Sequence, residues 1–208
     1  MKIAIIAANG RSGTKVVHAA IAAGHDVVAG VRGSHSFVPD KHLVVQDCDA
    51  TNFTEVKALL RGCDAAVSMI GHISGTHPEV QTVATKHCIA AMNQLGMRRI
   101  ISLTGTGVRF DGDKPSLIDR LLSIGVSLVD PQRISDGKQH AELLKASSLD
   151  WTLLRVLKLQ NTHPRPYRLT ASGPAKLITS RDEVASAVMT VLQDSSFIAQ
   201  APVISHDR

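Results

Sequence analysis

The residues best suited to chemistry stand within the first thirteen positions. A short aliphatic run, KIAIIA (2–7), leads into Ala7-Ala8-Asn9-Gly10-Arg11-Ser12-Gly13, and an amphipathic helical pattern follows at once. Positions 7, 10 and 13 have the spacing of a GxxGxxG turn with alanine in the first place. Such a turn presents bare backbone N–H groups at a helix N-terminus, where the helix dipole also favours an anion. Glycine allows both the tight turn and a close approach of phosphate. In this reading Gly10 faces a dinucleotide pyrophosphate and Gly13 lets the helix pack on the strand. Asn9, Arg11 and Ser12 complete the loop, and Ala7 ends a strand where a methyl group is tolerated. A plain strand-turn-helix would show the same spacing. The position of the motif, after the first strand and opening the first helix, favours the nucleotide.

Other candidates follow along the chain. The second strand ends Val31-Arg32-Gly33-Ser34, without the Asp or Glu that would bond a ribose 2′-OH. The Arg32 guanidinium suits a 2′-phosphate instead, with Ser34 assisting, so NADP(H) is expected over NAD(H). The ten histidines form no HxxxH or HExxH pattern. His72 and His77 flank a loop but are a poor metal pair, and no metal is expected. His72 falls on the cofactor side of the chain's fourth strand and is assigned to the substrate. His140, close to Lys138, is a second substrate-side candidate, although its ordinary reading is a residue on a helix surface. GxSxG and the P-loop GK[ST] are both absent, which removes support for a serine hydrolase and for an ATPase.

The elements that would hold these residues alternate. Aliphatic runs at 2–7, 25–31, 42–46, 65–70 and 98–104 read as strands, and helical patterns run between them: Ser12–Ala23, a segment opened by Asn52 and Glu55, and Pro78–Leu95. Strand and helix in alternation predict βαβ units and a parallel sheet. Further on, residues 106–132 are rich in Gly, Asp, Pro and Ser around one apolar segment, LIDRLLSIGV. A helix over about 133–146 leads to a strand at 151–156. Residues 157–180 are mostly irregular with a candidate strand at YRLTA. Ser180 and Glu183 form a capping box, and PVIS (202–205) reads as a final strand. The expectation is one α/β domain over 1–208: a Rossmann-type doubly wound parallel sheet of six or seven strands, ordered 3-2-1-4-5-6, with helices on both faces. Residues 106–132 and 157–180 are expected to cover the cleft on the substrate side.

Composition narrows the function. Aromatic residues make up only 3% of the 208, so an aliphatic core is expected. The net charge of +5 is spread without long basic runs, and with few aromatics to stack on bases it argues against nucleic acid. Three cysteines without CxxC read as reduced thiols of a cytoplasmic protein. Neither a membrane helix nor a signal peptide is read. The expected partner is a small-molecule acceptor, and a homodimer is the candidate assembly.

With AANGRSG, Arg32 and the alternating elements together, the chain resembles the atypical short-chain dehydrogenase/reductases. It is most similar to the small NAD(P)H-binding group that includes NmrA-like proteins and flavin reductase/biliverdin-IXβ reductase. VVQDCDATN, SMIGH, ASSLDWTLLRV and ITSRDEVA carry the likeness further. The resemblance implies that Asp47 and Cys48 lie along the adenine, and that Met69, Ile70 and Gly71 border the cofactor. These reductases commonly use Ser, Tyr and Lys, with the tyrosine four residues before the lysine. Lys138 matches the lysine, and Thr104 and Ser102 stand where the hydroxyl is expected. The tyrosine position is Ile134, which cannot transfer a proton. The resemblance therefore implies an NADPH-dependent oxidoreductase acting on a conjugated acceptor, such as a flavin or quinone, that takes its proton from solvent. A non-catalytic NADP(H)-sensing regulator of NmrA-like type is the alternative. A nucleotide-sugar epimerase would need a larger C-terminal region.

Overall fold

Strand β1 (Lys2–Ile6) buries every residue after the first, with Ile3, Ala4, Ile5 and Ile6 at 1% exposure or less. Its side chains alternate between two apolar layers: Ala4 and Ile6 face one, Ile3 and Ile5 the other. Such a strand needs partners on both edges and helices on both faces. The computed structural model, which describes residues 1–73 and 75–207, supplies them. Strand β1 pairs in parallel with β2 (Asp26–Val31) and with β4 (Ala65–Ser68). Strand β3 (Leu43–Asp47) adds to β2, β5 (Arg99–Gly105) to β4, and β6 (Asp150–Val156) to β5, all parallel. Helices α2 (Phe53–Leu60), α3 (Val80–Leu95) and α5 (Pro131–Ala146) cover one face. Helices α1 (Gly13–Ala22) and α6 (Arg181–Gln193) cover the other. The fold is the expected doubly wound α/β sheet in the order 3-2-1-4-5-6.

Beyond β6 the sheet is larger than expected. Strand β10 (Val203–His206) joins β6 in parallel, and β8 (Tyr167–Thr170) pairs antiparallel with β10, which gives eight strands rather than six or seven. The YRLTA and PVIS runs thus become a two-strand extension of the sheet edge. Residues 157–180 also contribute β7 (Leu159–Gln160) and β9 (Thr179–Ser180), a separate parallel pair ahead of α6. The capping box forms: the Ser180 hydroxyl and the Glu183 carboxylate bond the backbone of the first turn of α6.

The apolar segment in 106–132 is a full helix, α4 (Leu117–Val129), turned the opposite way from its pattern. Among the described residues of α4, Asp119 is buried at 1% exposure, while Leu117, Leu121, Leu128 and Val129 are each more than two-thirds exposed. Asp119 accepts a bidentate pair from Arg109 at 3.0 and 3.1 Å, and a bond from Thr106 at 2.9 Å. Asp130 caps α5 through the Arg133 N–H, so α5 starts two residues earlier than the sequence suggests. Among the described residues no helix is long and apolar enough to cross a membrane.

Candidate functional site

The turn after β1 is built from backbone contacts. Ala8 N–H donates to the Gly30 carbonyl at 2.9 Å and Gly10 N–H to the Ala7 carbonyl at 3.0 Å. A Cβ on Gly13 would come within 2.2 Å of the Ala7 oxygen and 2.8 Å of Ala8 Cα, so only glycine allows α1 this close to the strand end. Ala7 is the surprise. Its φ is +58°, in the left-handed region that favours glycine, so its methyl group is carried at a cost and not simply tolerated.

Helix α1 has no side-chain cap and no acid in its first turn. Helices α2, α4, α5 and α6 are capped by Asn52, Ser116, Asp130 and Ser180. Helix α3 is capped from outside: Asp136 accepts the N–H groups of Gln81 and Thr82 at 2.9 and 2.8 Å. The backbone N–H groups of Arg11, Ser12 and Gly13 have no acceptor among the described residues. Those free donors at a helix N-terminus are what an anionic phosphate group requires.

The loop after β2 is tied to this turn. Asn9 Nδ2 donates to the carbonyls of Arg32 and Ser34 at 3.1 and 2.9 Å. Asn9, Thr14 and residues 34–37 line an open cavity of about 280 Å³. Arg32 is exposed at its edge, with Asp49 Oδ2 at 3.8 Å from Nη1. The acid missing from β2 therefore arrives from the loop after β3, a tertiary contact that the spacing could not reveal. An exposed pair at this distance is weak and leaves the guanidinium open to a stronger anion. Asp47 is exposed at the end of β3. Cys48 is buried beside Gly30, and burial pushes its thiol up to about 12, so its side chain belongs to the core.

At the ends of β4 and β5 a buried polar cluster stands where the reductases that the chain resembles commonly carry serine, tyrosine and lysine. Met69 N–H donates to the Ile6 carbonyl, and Gln81 Nε2 donates to the Ile70 carbonyl at 3.0 Å, which holds the 69–71 turn over β1. Gly71 is exposed with open space around it. The Ser102 hydroxyl lies 2.9 Å from His140 Nε2. His140 is 2% exposed and is neither a surface residue nor open to the cleft; burial pushes its pKa down to about 4. Thr104 is also buried, and a Cβ on Gly137 would sit 3.2 Å from its hydroxyl. Helix α5 thus lies directly on the β5 end.

Lys138 is on the exposed flank of α5 and bonds neither hydroxyl. Ile134, one turn earlier, reaches Gly107, where a Cβ would meet its Cδ1 at 2.7 Å. His72 Nε2 lies 2.9 Å from the buried Asp136 Oδ2, and Arg133 donates to the His72 carbonyl. His72, Ile73, Pro78 and Arg133 are among the residues lining a second cavity of about 330 Å³. His77 turns to its own loop, accepting the Glu79 N–H, and forms no pair with His72. Among the described residues no group of three or more His, Cys, Asp or Glu could hold a metal ion. Sequence reasoning missed Asp136. Its only local signal was the lack of a good capping residue ahead of α3.

Fold and turn together define a dinucleotide-binding Rossmann domain, with the cleft at the carboxyl ends of β1, β4 and β5. The NAD(P)H-binding family profile matches residues 7–195, and the chain belongs to that family. A short-chain dehydrogenase/reductase from Veillonella parvula, solved in complex with NADP, superposes with a TM-score of 0.82 at 16% identity. The match covers 99% of this chain and 94% of that one. An oxidoreductase from Lactococcus lactis gives 0.80 at 16% identity, covering 100% and 92%. No curated protein matches the chain in sequence.

Proposed function

We propose that the protein is an NADPH-dependent reductase that passes hydride to a small conjugated acceptor such as a flavin or quinone. One observation carries this reading: where a proton-donating tyrosine would serve a ketone, Ile134 packs against Gly107. The free N–H groups of Arg11, Ser12 and Gly13 suit the pyrophosphate, and Arg32 with Ser34 suits a 2′-phosphate. When bound, the reduced nicotinamide supplies hydride from its ring. The protein's own work is orientation and exclusion of water, which suffices for an acceptor that takes its proton from solvent. Lys138 holds the nicotinamide ribose, and Thr104 gives the β5 end its hydroxyl. Ser102 fixes His140 beneath them. His72, held by Asp136, offers the acceptor a hydrogen bond, and residues 106–132 and 157–180 set acceptor choice.

The test is NADPH oxidation, followed at the nicotinamide absorbance, with FMN, riboflavin and quinones. Turnover is expected, and Arg32→Ala should cut the preference for NADPH over NADH roughly tenfold or more. An unchanged preference would overturn the role of Arg32. Tight NADPH binding without oxidation across the whole panel would instead favour a cofactor-sensing regulator.

A further inference from the structure

Arg181 opens α6 and is 6% exposed, yet it has no carboxylate partner among the described residues. Its Nη1 donates to Asn161 Oδ1 at 2.8 Å, and its buried Nε has no acceptor. The neighbouring acids are already committed: Asp182 to Lys15 at 3.0 Å and Glu183 to Lys176 at 2.9 Å. The Lys15–Asp182 pair ties the first turn of α6 to the first turn of α1, beside the glycine turn. The other nearby charge is Arg11, of the same sign, and burial together with that charge lowers the Arg181 pKa from its ordinary value. A buried guanidinium with no carboxylate partner, close to a second positive charge, is unfavourable unless an anion joins them.

From this geometry we infer that Arg181 and Arg11, with Asn161 holding the first, form an anion clamp opposite the glycine turn that takes a phosphate or diphosphate group. The inference rests on the proposed NADPH site but concerns binding, not turnover. Two sources share the chemistry: the diphosphate of the dinucleotide and the phosphate of an acceptor such as FMN.

Calorimetry distinguishes them on Arg181→Gln, Arg181→Lys and Arg11→Gln, with NADPH and inorganic pyrophosphate as probes. FMN and riboflavin are compared by KM. Either guanidinium lost to Gln should weaken NADPH binding about tenfold, with partial rescue by lysine, if the dinucleotide fills the clamp. If NADPH binding is unchanged while KM rises for FMN and not for riboflavin, the acceptor's phosphate fills it. Unchanged NADPH, pyrophosphate and FMN parameters in Arg11→Gln, whose exposed side chain is dispensable for folding, would overturn the clamp even if Arg181→Gln does not fold. In that case NADPH binding by the parent protein would still stand.

Discussion

Ala7 permits a direct test of why the phosphate turn takes the shape it does. At φ +58° its Cβ crowds the following carbonyl oxygen, at about 1–2 kcal/mol for an L-residue. Ala7→Gly removes that strain. Against the gain stands the extra backbone freedom of glycine in the unfolded chain, about 0.5–1 kcal/mol, together with a few tenths for the half-buried methyl that packs on the core beside β1. The net expectation is a gain of roughly 0.5 kcal/mol, or 1–2 °C in Tm for a domain of this size. Urea unfolding of both proteins at one pH, with the slope unchanged, measures it. The Gly10 N–H to Ala7 carbonyl bond is untouched, so NADPH affinity should not fall. Gly13→Ala is the counterpart, because its Cβ would strike backbone atoms at 2.2 and 2.8 Å and cost more than ~2 kcal/mol. A loss of 0.5 kcal/mol or more for Ala7→Gly would refute the argument. It would mean that the methyl contact outweighs the strain, and that glycine is common at this place for some reason other than φ.

Two further outcomes follow from the buried polar groups. His140 is neutral in the fold with its pKa at about 4 against an ordinary 6.5, so the unfolded chain takes up the proton first as pH falls. Stability is therefore lost from about pH 6.5 down to 4, and between pH 8 and 5 the parent protein should lose ~2 kcal/mol more than His140→Gln in paired urea titrations. Equal pH dependence would place the imidazole in water. Arg155, 1% exposed, pairs with Asp113 and bonds the carbonyls of Ala201 and Ala171. Asp113→Ala should cost ~3–5 kcal/mol in unfolding free energy, and the double variant with Arg155→Met clearly less, since the single change strands a buried charge. A double variant as unstable as the single one would contradict that account.

The parts of the molecule legible in the sequence are those whose cause is local. Five runs of small and aliphatic residues became β1 to β5; β1, β2, β4 and β5 are buried on both faces almost throughout, while β3 closes the sheet edge with Val44 exposed. The AANGRSG turn was legible because Gly13 answers to backbone atoms five and six residues away. The polar end of the site, at β4 and β5, was not. In α5 the stripe that faces the core is 136, 137, 140, 141 and 144, and it contains an aspartate and a histidine that hydropathy assigns to the surface. They turn inward because their partners come from other elements: Ser102 from β5 for His140, and the open first turn of α3 for Asp136. Asp49 reaches Arg32 from one strand further on, and Arg181 lacks a carboxylate partner because the neighbouring acids are taken by Lys15 and Lys176. Helix α4 shows the same physics reversed. Its eight large apolar residues predict burial, but the Asp119, Arg109 and Thr106 bonds hold the polar side inward and leave the apolar side exposed. Cofactor binding rests on contacts close in sequence and could be read early. The polar cluster at the ends of β4 and β5 depends on pairings between distant elements, so neither Lys138 nor Thr104 could be assigned its surroundings until β5, α3 and α5 were brought together.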